Sequence, residues 1–145
     1  MCGILAVISK KEISSLDFIN LLKNIQHRGQ DSCGIAYIKN NTIQTHKQEG
    51  MVDRLDNVDN YVGSNIYLGH TRYTTSGERT RSNTNTNTGS GIHPIISTFR
   101  EEKYAFIFNG NIPFINPEFN RDTEFIKNFI ESRQHFDFRT VLLEF

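Results

Sequence analysis

The chain begins Met1-Cys2-Gly3-Ile4, and an apolar run continues from there to Ile8. Removal of Met1, which a small second residue favours, would leave Cys2 with a free α-amine beside its thiol. An α-amine has an unperturbed pKa of about 7.7 to 8.0 and a thiol one of about 8.5, so the amine can take up the thiol proton near neutral pH. The stretch therefore predicts a nucleophile that carries its own base. A buried first strand is the simpler interpretation of the same residues, and the rest of the chain must distinguish the two.

Composition limits the classes of protein that fit. With 145 residues and 37% hydrophobic content, residues 1–145 are expected to form one domain with a substantial core. Sixteen basic residues balance sixteen acidic ones without a long Lys or Arg run, so we expect neither a nucleic-acid nor a membrane partner. No apolar stretch approaches the ~18 residues of a membrane span, and the first ten residues lack signal-peptide features. A cytoplasmic protein is expected.

The cysteines give no sign of a structural or metal-binding framework. Cys2 and Cys33 have neither CxxC nor Cys/His spacing, so we predict no disulfide, no metal site and no cofactor. Cys33 is expected to be a small core residue.

Helical signals occur early and late in the chain. Ser14 is typical of an N-cap, and apolar residues then recur every three positions, at Leu16, Ile19, Leu22 and Ile25. This pattern predicts an amphipathic helix that ends near Gly29, with the glycine in a left-handed conformation. Further helices are predicted from Asp122, with an apolar stripe over 125–130, and after Asp137. A short irregular helix is predicted over 52–62.

Strand signals fill most of the remainder. A hairpin is predicted over 33–46, with Asn40-Asn41 at positive φ in its turn. Further strands are predicted over 66–69, 95–99 and 104–108. The strand over 66–69 runs into a cluster of polar residues. The end of a strand is a common place for a functional site. The Asn, Thr, Ser and Gly tract over 81–91 predicts a mobile loop.

Five separated segments match one family in order. The chain resembles class II glutamine amidotransferase domains over Cys2 to about Arg133. The sequences of its motifs are most similar to those of the glutaminase domain of amidophosphoribosyltransferases. The motifs of glucosamine-6-phosphate synthases differ more from this sequence, in the segments that contain Arg28 and Arg72. Ile92-His93-Pro94-Ile95 matches the family only in part. The segments are Cys2-Gly3-Ile4, His27-Arg28-Gly29-Gln30-Asp31, Gly69-His70-Thr71-Arg72-Tyr73-Thr74-Thr75, Phe108-Asn109-Gly110-Asn111 and Asp122-Thr123-Glu124.

The resemblance implies an α+β fold of the N-terminal nucleophile hydrolase type. This is a four-layer αββα sandwich, in which two antiparallel sheets face each other between helices. Family domains continue beyond a helix like 138–145, so we expect this domain to be incomplete at its C-terminus and its synthase domain to be absent.

The resemblance also implies the catalytic groups. Cys2 attacks the glutamine side-chain amide and forms a thioester. Asn109, through its side-chain NH2, and Gly110, through its backbone N–H, stabilise the oxyanion. The simpler interpretation of Asn109-Gly110 is a hairpin turn, and both can hold together. Arg28 and Gly29 are expected to support the loop that carries Cys2.

Substrate-binding groups follow from the same resemblance. Arg72, with Tyr73 and Thr75, is expected to bind the glutamine α-carboxylate, and Asp122 its α-ammonium. A surface salt bridge and a helix N-cap are the alternatives for Arg72 and Asp122. His27 and His70 are expected to be structural, because the Cys2 amine replaces an imidazole base. The loop from Thr74 into the Asn/Thr tract corresponds to the family's flap over glutamine, with plain disorder as the alternative.

The implied function is glutamine hydrolysis to glutamate and ammonia, which supplies an amidophosphoribosyltransferase-type reaction. The expected partners are glutamine and either a separate synthase domain or a second copy of the chain. Two alternatives stay open. One is an inactive remnant that binds glutamine or another protein, and the other is the glutaminase domain of a glucosamine-6-phosphate-synthase-like enzyme.

Overall fold

The computed structural model describes residues 1–55, 58, 62–73, 91–113 and 122–144. Within these ranges the chain forms antiparallel strands and short helices in an α+β arrangement. No helix there is long and apolar enough to cross a membrane. The elements are β1 (Gly3–Ser14), α1 (Ser15–Lys23), a 3₁₀ turn (Gln26–Arg28), β2 (Ser32–Lys39), β3 (Thr42–Glu49), a second 3₁₀ turn (Val52–Arg54), β4 (Gly63–Arg72), β5 (Ile95–Phe99), β6 (Glu102–Phe106), α2 (Asp122–Glu131) and α3 (Phe138–Glu144).

The first sheet has the strand order β1-β4-β2-β3, with every neighbouring pair antiparallel. Its register places Gly3 of β1 opposite Thr71 of β4, and Thr71 opposite Cys33 of β2. The start of β1 therefore lies beside the end of β4. Because β4 is paired on both sides, it is the strand that fixes the position of the chain's N-terminus.

Helix α1 covers one face of this sheet. Ser14 caps it as predicted, since its hydroxyl accepts the Asp17 N–H at 3.0 Å. Phe18 is fully buried and stacks on Tyr67 of β4 with ring centroids 4.7 Å apart. Leu16 was expected on the buried stripe and is 42% exposed. The prediction for Leu16 is wrong because the helix turns Phe18, Ile19 and Leu22 toward the sheet.

The β2–β3 hairpin confirms its predicted turn. Asn40 and Asn41 have φ angles of 50° and 58°, which the short polar side chain of Asn tolerates. Both strands are longer than predicted, because their pairing is continuous from Ser32 opposite Glu49 to Lys39 opposite Thr42. The first strand also exceeds the predicted apolar run and reaches Ser14, with a register irregularity between Ile8 and Ile13.

The first hydrophobic core lies between α1 and the first sheet. Val52, Leu55, Val58 and Val62 are all buried in it. The predicted irregular helix around them is confirmed only for the single turn Val52–Arg54, as far as the described residues extend. The other buried members are Phe18, Ile19, Leu22, Cys33, Ile35, Tyr37 and Tyr67.

The second sheet is the β5–β6 hairpin, and α2 and α3 pack against it. Strand β5 has the predicted bounds, whereas the following strand is Glu102–Phe106 instead of 104–108. A second core joins the hairpin to the helices through Phe99, Ile126, Ile130 and Val141. Helix α3 starts after Asp137 as predicted, and the Asp137 side chain caps it by accepting the Thr140 N–H at 3.0 Å.

The two sheets meet on the face of the first sheet opposite α1. Side chains alternate along β4, so Tyr67 points toward α1 and His70 toward the other face. There His70 stacks on His93, which lies two residues before the start of β5, with centroids 4.3 Å apart. The order of layers is thus α1, first sheet, second sheet, then α2 and α3, as the αββα prediction requires. The predicted flap lies outside the described residues, apart from Gly91.

Candidate active site

Cys2 lies immediately before β1, at the junction of the strand ends. Its thiol donates to the Tyr73 carbonyl oxygen, with Sγ and O 3.8 Å apart. Gly3 permits this position, because a Cβ there would lie 2.6 Å from Thr71 Oγ1. The close β1–β4 contact thus holds a half-buried thiol next to the end of β4.

Asn109 reaches the same point from the other sheet. The Cys2 backbone N–H donates to Asn109 Oδ1 at 3.3 Å, although the two residues are 107 positions apart. With its oxygen turned to Cys2, the Asn109 amide keeps two N–H donors for another acceptor. The structure therefore places an amide donor group beside Cys2.

Gly110 follows Asn109 in a segment after β6. No hydrogen-bond partner of the Gly110 N–H is found in the described part of the chain. A Cβ at this position would lie 2.9 Å from the Phe108 ring. Residues 107–112 belong to no strand, so within the described ranges Asn109 and Gly110 do not form a hairpin turn.

Arg28 contacts the backbone of Cys2. Its Nε donates to the Cys2 carbonyl oxygen at 3.1 Å. The 3₁₀ turn that carries Arg28 is braced by Gln26, whose Oε1 accepts the Val52 N–H at 2.6 Å and whose Nε2 donates to the Gly29 carbonyl. The guanidinium is therefore mounted on a fixed turn.

Gly29 does not take the left-handed conformation predicted for it. Its φ is −166°, and the preceding helix ends earlier, at Lys23. The glycine serves a close approach instead, since a Cβ would lie 2.5 Å from the Arg72 carbonyl carbon. The prediction was wrong because Ile25 extends the helical spacing while the chain already turns at Asn24.

Two of the four expected substrate-binding residues lie next to Cys2. Arg72 ends β4, and its Nη1 donates to the Gly91 carbonyl at 3.0 Å. Tyr73 follows it with a side chain that is 54% exposed. Asp122 is the half-buried first residue of α2, and no hydrogen bond or ion pair within the described ranges joins it to the Cys2 cluster. Thr75 lies outside those ranges.

The two cysteines differ sharply in environment. Cys33 is fully buried, as predicted, and burial raises the pKa of its thiol to about 11. Cys2 is only partly covered. Of the two thiols, Cys2 is the one that a substrate can reach.

A pair of buried imidazoles lies behind the site. Burial lowers the pKa of His70 to about 4 and that of His93 to about 3, and the Arg72 charge adds to both shifts. Both rings are therefore neutral at pH 7. The sequence predicted a structural role for His70, but the part played by His93 was missed. The only sequence signal for His93 was the partial family match at His93-Pro94.

No protein-family model matches the chain. Glutamine–fructose-6-phosphate aminotransferase from Cyanidium caldarium is 34% identical over 117 residues, which cover 77% of this chain and 17% of the relative. The enzyme from Sulfolobus acidocaldarius is 34% identical over 116 residues, covering 77% and 18%. That from Bacillus anthracis is 28% identical over 130 residues, covering 87% and 20%. The chain thus spans about a fifth of these relatives.

One solved structure matches nearly the whole fold. It is a structure of the allosteric regulatory enzyme of purine biosynthesis, with a TM-score of 0.63 and 20% identity, and the match covers 99% of this chain and 32% of that one. Facing antiparallel sheets between helices, with a cysteine at the head of the first strand, define an N-terminal nucleophile hydrolase fold. Together with the curated relatives, this fold and site place the chain in the class II glutamine amidotransferase domains.

Proposed function

We propose that this domain hydrolyses glutamine to glutamate and ammonia through a thioester on Cys2. The contact between the Cys2 nitrogen and Asn109 Oδ1, at 3.3 Å, is the observation that carries the proposal. It joins the proposed nucleophile, at the start of β1, to the proposed oxyanion donor, in the segment after β6, and a purely structural cysteine does not need this contact.

The chemistry begins once Met1 is removed and the Cys2 nitrogen is an amine. The amine takes the thiol proton, and the thiolate attacks the side-chain carbonyl carbon of glutamine. Asn109 Nδ2 and the Gly110 N–H donate to the resulting oxyanion. The amine then gives its proton to the leaving nitrogen, and ammonia departs. Water attacks the thioester by the same route in reverse, which releases glutamate and restores the thiol.

The remaining residues hold the substrate and the loop. In this proposal Arg72, Tyr73 and Thr75 bind the α-carboxylate, and Asp122 binds the α-ammonium. The place of Arg72 in the fold supports its part, because it ends β4 and the next residue, Tyr73, contacts the Cys2 thiol. Arg28 and Gly29 keep the Cys2 segment against β4.

We further propose that the ammonia supplies an amidophosphoribosyltransferase-type reaction on a separate synthase domain. A second candidate acceptor reaction is that of a glucosamine-6-phosphate-synthase-like enzyme. The relatives from Cyanidium caldarium, Sulfolobus acidocaldarius and Bacillus anthracis favour this second candidate, because all three are glutamine–fructose-6-phosphate aminotransferases. We also propose that residues 1–145 form one domain. A location in the cytoplasm is part of the same proposal.

A synthase domain or a second copy of the chain is the proposed protein partner. The face of the first sheet opposite α1 exposes Ile4 by 49%, Ile8 by 85% and Ile66 by 38%. Such a cluster is stabilised when a partner buries it.

Ammonia release from glutamine tests the reaction. The purified chain is used after mass spectrometry shows that Met1 is gone, with Cys2→Ala and an N-acetylated form as controls. We expect ammonia only from the Met1-free wild type, because acetylation removes the base. Glutamine binding without ammonia release would instead support the inactive binding module. Adding each type of synthase domain separately shows which one accepts the ammonia.

A further inference from the structure

His70 connects the strand beside the nucleophile to the segment that carries the oxyanion donors. It lies on β4 opposite Ile4, two residues after Cys2. Its Nε2 lies 3.2 Å from the carbonyl oxygen of Phe108, the residue before Asn109. One fully buried side chain therefore joins the two sheets immediately behind the site.

The chemistry of this contact fixes the tautomer of the ring. A carbonyl oxygen only accepts, so Nε2 must carry the proton and donate it. Nδ1 is buried and has no partner within the described part of the chain. Burial also lowers the pKa of His70 to about 4, so the ring stays in this neutral, donating form across the physiological range.

Packing holds the ring in place. His93 stacks on His70 with centroids 4.3 Å apart, and the His93 carbonyl lies against Gly34 of β2 so closely that a Cβ on Gly34 would not fit. The imidazole is thus confined between a strand and the segment that enters β5, with Nε2 directed at Phe108.

We propose that His70 is a positioning residue, whose hydrogen bond to the Phe108 carbonyl sets the distance of Asn109 and Gly110 from Cys2. This inference rests on the proposed glutaminase function. Asn109 and Gly110 are exposed and belong to no strand. Their neighbours Phe108 and Ile112 pack against the second core, which holds the segment near β6. Two hydrogen bonds tie the segment to the first sheet, those of Asn109 with Cys2 and of Phe108 with His70.

Loss of the His70 bond should affect turnover more than binding. Oxyanion donors act only on charge that develops in the transition state, and losing one typically lowers kcat by ~10² to 10³. Displacement of both donors should therefore lower kcat by about 10² while KM changes by no more than about threefold. A residue that only stabilised the fold would lower the amount of active protein without this separation.

The experiment compares three variants. His70→Met removes the donor at similar volume, and His70→Gln keeps an N–H donor at a similar reach. His46→Met is the matched control, because it removes another histidine hydrogen bond of 3.2 Å, to Tyr37, in the same sheet. Each is assayed for kcat and KM, for thermal unfolding, and for hydrogen exchange in the peptide spanning 107–112.

We expect His70→Met to lose about 10² in kcat and to exchange faster over 107–112. His70→Gln should recover at least tenfold of that loss, and His46→Met should match the wild type in both measurements. Equal losses in His70→Met and His70→Gln, or wild-type exchange in His70→Met, would overturn the proposal. If the wild type releases no ammonia, the proposed function fails, and the exchange comparison alone still decides whether His70 fixes the segment.

Discussion

At the scale of single residues, the two thiols of the chain should differ in reactivity. Cys33 is fully buried with a pKa raised to about 11, whereas Cys2 lies half-buried at the sheet edge. Because the thiolate is the reactive form, we expect a glutamine-like electrophile to label Cys2 and leave Cys33 unmodified, as peptide mass spectrometry would show. Cys2→Ala should remove the label and the activity with nearly unchanged thermal unfolding. Labelling of Cys33 in the folded chain would reject the assignment.

Asn109 and Arg72 should respond differently to truncation if, as proposed, they bind different parts of glutamine. Asn109→Ala removes a donor to the oxyanion, so we expect kcat to fall by ~10² to 10³ with a small change in KM. Arg72→Ala removes a bond to a carboxylate that does not react, so mainly KM should rise, with Asp122→Ala behaving likewise. Steady-state ammonia release measures both constants. The same KM-to-kcat pattern in all three variants would contradict these roles.

Residue spacing allowed part of the site to be predicted before the structure. Short motifs pointed to Cys2, Arg28 and Asn109, and the structure places both Arg28 and Asn109 in contact with Cys2. The His70–His93 stack could not be predicted in this way, since it depends on how two sheets pack. A buried neutral histidine has no sequence signal that separates it from a surface one.

At the scale of elements, Gly29 shows how a glycine can serve packing where a turn was expected. Gly29→Ala would place a Cβ 2.5 Å from the Arg72 carbonyl carbon, which is backbone and cannot rotate away. Overpacking of this kind costs about 1 to 3 kcal/mol of unfolding free energy, and it should also move the end of β4 away from Cys2. Urea denaturation and ammonia release measure the two effects. The exposed neighbour Gln30, changed to Ala, is the control and should behave as wild type; an unaffected Gly29→Ala would refute the close-approach explanation.

Element bounds followed the sequence where local chemistry decides them. Ser14, Asp137 and the Asn40-Asn41 turn act through their own side chains and backbone angles, so their roles were predictable. The end of β1 depends on pairing with the distant strand β4, and β6 ends where its pairing with β5 ends, at Phe106 opposite Ile95. Their bounds differ from the prediction for that reason.

At the scale of the whole molecule, the contact between the sheets makes stability depend on pH. Burial lowers the pKa of His70 to about 4 and of His93 to about 3, from an ordinary value of 6.5. In the unfolded chain both rings take up protons near pH 6.5. Between pH 6.5 and about 4 the unfolded state therefore binds more protons than the folded state, and the free energy of unfolding decreases as the pH falls. The expected slope is about 1.4 kcal/mol per pH unit for each histidine, with no contribution from this pair above about pH 7.5.

Urea denaturation at pH 7.5, 6.0 and 5.0 tests this dependence, with His93→Phe as the comparison. Phenylalanine keeps an aromatic ring against His70 and cannot take up a proton, so this variant should lose stability less steeply as the pH falls. The carboxylates are the same in both proteins, and Arg72 and Lys47, which also disfavour charge on His93, are unchanged. The difference between the two slopes therefore isolates His93. Parallel slopes would mean that His93 already exchanges protons with solvent in the folded chain, and that the sheets are not closed over it.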